Sequence, residues 1–263
     1  MYRVMLAPDV QARFAEMVAS NKLALPVLPE VASQVLSLVQ RPDCDTARLA
    51  ELLRRDPAMT AHVMAMAASP LYSGATKSAS LQQAIGRLGF ATLTQIVLAV
   101  ASKARVFAVP GFEAEVKASF QHALATALFA QEIAKARRST VDAAFLAGLF
   151  HDFGQPVLLQ ALVDLAPDAK HEDVIAEIEA AHASVGARLV IAWSMPEKVA
   201  EAVDRHHVPT GCELATIVAL ADDFAHGHDV TSAYAAALNL YPDDLAAIGK
   251  KSADIAATVK AIA

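Results

Sequence analysis

The sequence predicts an all-α protein. Ala and Leu, which lead the helix scale, dominate an apolar content of 55%. Apolar positions recur at helical spacing, and no stretch shows the β-branched alternation of a strand. Helix breakers are thinly spread, 10 Gly and 12 Pro in 263 residues, and they fall where helices should end. A chain of this length buries a sizeable core as one large domain or two small ones.

The elements follow in order. An amphipathic helix from about Asp9 to Ser20 leads into Leu25-Pro26-Val27-Leu28-Pro29-Glu30. There two prolines fix an extended stretch, and Pro29 suits the first turn of a helix running to about Val39. Asp45-Thr46 precedes a short helix, Ala47–Arg54. Asp56-Pro57 starts another, Pro57–Ala68, which Ser69-Pro70 ends. Ser80 to Leu88 is closed by Gly89, read as a C′ glycine. Thr92 or Thr94 then opens a long apolar helix ending near Pro110-Gly111, the best candidate boundary in the chain. Glu113–Arg137 is a long helix carrying His122. Ser139-x-x-Asp142 resembles a capping box for a helix that ends at His151-Asp152, with Gly154 and Pro156 stopping it. His171–Ala180 is followed by His182–Trp193. Ser194-x-x-Glu197, with Pro196 in the first turn, starts the helix to His206-His207, which Pro209 and Gly211 end. Leu214–Ala225 carries Asp222-Asp223, and Ser232–Ala263 reads as a helical tail.

Composition excludes several functions. The net charge is −6 with no Lys/Arg-rich run, which argues against a nucleic-acid surface or a polybasic membrane patch. Cys44 and Cys212 have no CxxC spacing and read as reduced thiols. The N-terminus lacks the long apolar core of a signal peptide. Leu93 to Val109, the most apolar stretch, is interrupted by Lys103 and Arg105 and reads as a buried helix. The expected location is the cytoplasm.

The chemistry points to His151-Asp152, because adjacent His and Asp can offer one metal ion both an imidazole nitrogen and a carboxylate oxygen. His206 lies three, four and seven residues beyond Val203, Ala202 and Val199, so it shares their apolar, inward face. Asp222 lies four beyond Val218 and seven beyond Ala215. It therefore faces inward rather than Asp223, about 100° further round the helix. An inward carboxylate near imidazoles wants a cation. A mixed imidazole and carboxylate shell suits Fe, Mn, Zn or Ni rather than Ca or Mg. Taken singly, His182 could cap the start of its helix and Asp152 could accept backbone bonds at a turn. His62, His171, His226 and His228 read as core or surface residues.

Separated motifs then carry a resemblance over roughly residues 23 to 225. They are Leu25-Pro-Val-Leu-Pro-Glu-Val31, Arg55-Asp-Pro-Ala-Met-Thr60, Ser69-Pro-Leu-Tyr72 and Ala84-Ile-Gly-Arg-Leu-Gly89. The second half adds Gly148-Leu-Phe-His-Asp-Phe-Gly154, His182-Ala-Ser-Val-Gly-Ala187, Trp193-Ser-Met-Pro196 and His206-His207. In this order the sequence resembles the HDOD proteins, bacterial signalling relatives of the HD-domain phosphohydrolases. The resemblance implies two packed helical subdomains, about 23–110 and an HD-like 111–225, after an N-terminal helix (1–22) and before a helical tail (226–263). It also implies a site for one or two divalent transition-metal ions built from His122, His151, Asp152, His182, His206 and Asp222, with His207 beside them.

In HD enzymes such ions polarise a phosphoryl oxygen and activate a water. His206 or His207 would then hold the phosphate or protonate the leaving group. Three departures from the pattern bear on this. Gln155 stands where catalytic relatives commonly carry Lys. Val208-Pro209-Thr210-Gly211 replaces the Gly-Tyr-Pro segment of the cyclic-dinucleotide phosphodiesterases, and Ala67-Ala68 precedes Ser69 where relatives often have Asn. The expected function is a regulatory module acting on a signalling protein or a small phosphate-bearing ligand. The alternative is a metal-dependent phosphohydrolase.

Overall fold

The computed structural model describes residues 8–20, 22–72, 78, 80–167, 171–228 and 232–262, with the side chains of 104–105, 171–174 and 232 outside that set. The N-terminal heptapeptide, the His171 imidazole and Ala263 at the end of the expected tail thus lie outside the described residues. Among the described residues the chain is helical with no strand. The helices are α1 (Pro8–Ala19), α2 (Glu30–Val39), α3 (Thr46–Leu53), α4 (Pro57–Ala68), α5 (Leu81–Arg105), α6 (Glu113–Arg137) and α7 (Val141–Phe150). They continue as α8 (Gly154–Leu165), α9 (His171–Ala192), α10 (Glu197–Arg205), α11 (Glu213–His226), α12 (Ser232–Ala237), α13 (Pro242–Gly249) and α14 (Ser252–Ile262).

Side-chain caps fix the starts in the first half. Asp45 accepts from Arg48 N at 2.8 Å, Asp56 from Met59 N at 3.0 Å and Ser80 from Gln83 N at 3.2 Å, each satisfying an orphan amide of the first turn. Gly89 has φ 76° and ψ 166°, a region open essentially to glycine, so α5 is kinked there into the two segments expected.

The second half differs from expectation at three places. Gly154 and Pro156 open α8 instead of ending α7, and this helix was missed. Proline fits a first turn because its absent N–H has no intrahelical partner there. A Cβ on Gly154 would lie 1.9 Å from His182 O, so glycine is what lets α8 press against α9. The second difference is that α9 runs unbroken from His171 to Ala192, so His182 sits mid-helix and caps nothing. Third, the capping box expected at Ser139-x-x-Asp142 does not form, and Pro196 precedes the first turn it was expected to enter. Thr140 and Pro196 are the N-caps of α7 and α10, and neither makes a side-chain cap bond. Asp142 instead accepts from Gln95 Nε2 at 3.0 Å. The tail folds as three helices, broken at Asn239 (φ 49°) and restarted at Pro242.

α6 is the central strut, packed by α7, α11 and α14. α10 and α11 also pack on α7, α9 pairs with α8 and α10, and α2, α3 and α4 pack on α5. A Cβ on Gly148 would meet Ala127 Cα at 2.9 Å, so that glycine brings α7 down onto α6. The buried apolar residues form one cluster running from Phe14 to Ile262. Trp193 Nε1 on the turn after α9 donates to Pro26 O at 2.8 Å, tying the second half to the extended proline segment. Among the described residues one helix, Leu81–Lys103, is long and apolar enough by length and composition to cross a membrane; 61% of its apolar window is buried against the rest of the chain.

Candidate metal centre

The close approach of α7 to α6 and of α8 to α9 gathers side chains from five places. They are α6 (His122), the α7–α8 turn (His151, Asp152), α9 (His182), the end of α10 (His206, His207) and the last turns of α11 (Asp222, His226). The structure brings together all six residues singled out from the sequence, with His207. Asp152 is the hub. Its Oδ2 lies 3.3 Å from His151 Nε2, and its Oδ1 lies 3.4 Å from His182 Nε2 and 3.5 Å from His206 Nε2. On the outer side, His122 Nε2 lies 2.8 Å from Asp222 Oδ1, with His151 Nε2 3.8 Å from the same oxygen. Asp222, not Asp223, faces the cluster, as the helical phase requires.

The imidazoles are anchored from behind. His151 Nδ1 donates to Gly148 O at 2.8 Å, His182 Nδ1 to Glu179 O at 3.1 Å, and His206 Nδ1 to Val203 O at 2.6 Å. A carbonyl oxygen only accepts, so each Nδ1 carries a proton and each Nε2 faces inward, where an unprotonated one presents a lone pair. His182 Nε2 then stands 3.4 Å from His206 Nε2 and 2.9 Å from His207 Nε2. Opposed lone pairs at that range need a proton or a cation between them. Two further atoms make the same point: His151 Nε2 and Asp222 Oδ1 are buried without an aligned hydrogen-bond partner. An imidazole nitrogen and a carboxylate oxygen held close without an aligned hydrogen bond are what a shared cation would leave.

The electrostatics agree with a cation-seeking site. Burial disfavours the His151 imidazolium, but Asp152 and Asp222 outweigh it and hold that group up at about 9 in the metal-free protein. Burial also opposes the Asp152 and Asp222 carboxylates, yet the surrounding histidines keep both below the usual range. His207 goes the other way: burial, then His206 and His182, lower it, so it is neutral at pH 7.

Among the described residues, three groups of donors could hold a metal ion, each with its ligand atoms within 4.8 Å of one another: His122/His151/Asp152, His182/His206/His207 and His122/Asp222/His226. His226 is the residue that sequence reasoning missed. It was set aside as core or surface, yet it stands one turn beyond Asp222 with Nδ1 3.1 Å from Asp222 Oδ1. The four-residue spacing Asp222–His226 was the available signal. His62 lies on α4, outside these groups, where burial lowers its pKa.

Gln155, beside the centre, lines a separate cavity of about 110 Å³ with Glu115 and Glu179. Its N donates to Asp152 O at 2.9 Å.

A family model described as the HDOD domain matches residues 25–209. That span includes His122, His151, Asp152, His182, His206 and His207 and stops before Asp222. An uncharacterized protein of Treponema pallidum (strain Nichols) is 22% identical over 214 residues, 76% of this chain and 41% of that one. The chain therefore spans less than half the length of that relative. A crystal structure of a candidate metal-dependent phosphohydrolase from Shewanella amazonensis SB2B superposes with a TM-score of 0.78 at 22% identity, covering 95% of this chain and 98% of that one. A candidate signal transduction protein from Marinobacter aquaeolei VT8 gives 0.66 at 20% identity, covering 98% and 68%. At these identities the superpositions establish the fold.

Proposed function

Because the chain belongs to the HDOD family, we propose that it is a cytoplasmic signal-transduction module whose His/Asp centre holds one or two divalent transition-metal ions. Its output is then a contact with a signalling protein or a small phosphate-bearing ligand, not with nucleic acid or membrane. The observation that carries this reading is the pairing of a full donor set with a weak phosphate site. The charges acting most strongly on His151, Asp152, His207 and Asp222 come from the centre's own histidines and carboxylates, and among the described residues no Lys or Arg is one of these leading influences. Gln155 occupies the place where the catalytic proteins it resembles carry Lys, and its cavity is shared with Glu115 and Glu179.

Within the centre, His122, His151, Asp152 and Asp222 fit one ion, and Asp152, His182, His206 and His207 fit a second, with Asp152 between them. The imidazole-rich shell favours Fe, Mn, Zn or Ni. A bound ion would supply Lewis acidity and lower the pKa of a coordinated water.

One observation favours phosphoester hydrolysis as a second reading: His207 is exposed, and the lowering of its pKa favours the neutral form, which can take a proton. His206 is 3% exposed and anchored through Nδ1, so of the two catalytic candidates only His207 reaches solvent.

Elemental analysis of the purified chain, followed by turnover assays on nucleotides and model phosphate esters with Mn²⁺ or Fe²⁺, tests both. The expected result is bound metal without turnover. Activity abolished by His151→Ala and Asp152→Ala would establish the hydrolase instead. A chain that holds no ion, even after Fe or Mn is added, would end the metal reading.

A further inference from the structure

Seven of the nine histidines form one continuous file of rings from the surface to the buried centre. His228 stacks on His226 with centroids 5.0 Å apart and planes 10° apart. His226 lies 4.2 Å from His122, His122 5.3 Å from His151, and His151 5.2 Å from His206. His206 in turn neighbours His182 at 5.3 Å and His207 at 4.0 Å. The proposed function uses the inner members of this file and gives no role to its outer end.

His122 belongs to two of the three donor groups, the inner one with His151 and Asp152 and the outer one with Asp222 and His226. One imidazole nitrogen binds one ion at a time, so the two groups are alternative positions sharing a ligand. They differ in exposure. The inner side chains of His151 and Asp152 are 1% and 13% exposed, whereas those of Asp222 and His226 are 31% and 46%. Asp222 Oδ1, buried and without an aligned donor, sits between them, 2.8 Å from His122 Nε2 and 3.1 Å from His226 Nδ1.

We infer that His226, Asp222 and His122 form an outer metal position that captures a divalent cation from solvent and passes it inward, with His122 and Asp222 as shared ligands, to His151 and Asp152. The inference rests on the metal-centre reading and adds to it a route and a residue. His226 acts on the path and not at the destination. Its loss therefore slows uptake and release by the same factor and leaves the equilibrium amount bound unchanged.

The test uses Co²⁺ as the probe on the full chain after chelator stripping. Absorption of bound Co²⁺ gives the amount held at equilibrium, rapid mixing gives the uptake rate, and an EDTA challenge gives the release rate. For His226→Ala the expected result is equal equilibrium binding with the uptake and release rates lowered by the same factor. His226→Gln, which keeps the polarity but not the imidazole, should be equally slow. Wild-type binding with unchanged rates in both variants would overturn the inference and leave the centre intact. Reduced equilibrium binding would also overturn it, by making His226 a resident ligand. A wild-type chain that takes up no Co²⁺ would remove the centre and the inference together.

Discussion

Asp152 carries more of the centre than any other side chain, since its two oxygens face His151 on one side and His182 and His206 on the other. Asp152→Asn keeps the shape and removes the charge that holds these imidazoles together. Metal affinity should fall by at least about 10–100-fold, the range seen even for groups that only support a ligand. Titration with Mn²⁺ or Co²⁺ reads this, and Asp223→Asn, one position round the helix from Asp222, should leave affinity near wild type. A second residue sets a pH limit far from the metal. Tyr72 is half-buried with its hydroxyl donating to Gln131 Oε1 at 2.9 Å, and burial pushes its pKa up to about 12. An unfolded tyrosine ionises near 10. The folded state thus favours the neutral phenol, a contribution fully present below about pH 10 and lost as pH rises from about 10 to 12. Denaturant melts at pH 9 and 11 should show that loss, and Tyr72→Phe should flatten it. Most site residues were legible at this scale because helical phase marks an inward His or Asp among apolar neighbours, as at His206 and Asp222. His226 was not, because it lies on an exposed last turn where phase carries no burial signal.

At the scale of elements, the sequence was read correctly where a break has one meaning. Asp56-Pro57 and Ser80 start helices with side-chain caps, and Gly89 bends α5 at a positive φ. It was misread where a break has two. Gly154-Gln155-Pro156 can end one helix or start the next, and both glycine and proline are at home in a first turn, so α8 went unnoticed. The split at His182 failed for a related reason: a polar residue inside an Ala-rich run looks like a cap until the tertiary site that needs it is known. The α8–α9 contact gives a direct check. In Gly154→Ala the new Cβ would approach His182 O to 1.9 Å, backbone against a methyl that cannot rotate away. The helices must part, at about 3 kcal/mol or more. Thermal melting should fall by roughly 10 °C for a chain of this size. Because His182 rides on the displaced segment, Co²⁺ affinity should weaken as well, which Gly227→Ala, at a positive-φ site with nothing within 4 Å, should not reproduce.

For the molecule as a whole, the Pro110-Gly111 boundary invites a picture of two halves, about 23–110 and 111–225, while the packing joins them. The apolar core is one cluster, α5 touches α7, and α14 packs on both α4 and α6. The single tryptophan reports on that junction, because Trp193 is 6% exposed, packs edge-on to Phe150 and donates to Pro26 O in the other half. If the halves came apart first, Trp193 fluorescence would shift to the red while far-UV ellipticity persisted. A shared core predicts instead that the two signals move together in one transition. Metal sharpens the test, since every donor of the centre lies on α6 to α11. An ion at about 100 times its dissociation constant adds about 2.7 kcal/mol to whatever unit unfolds with the site. Were the halves independent, only the second would gain. With one cooperative unit, Mn²⁺ should raise the melting temperature of the fluorescence and ellipticity signals together, by roughly 5–10 °C. A split between them on adding metal would show that the proline segment and α2–α5 unfold on their own.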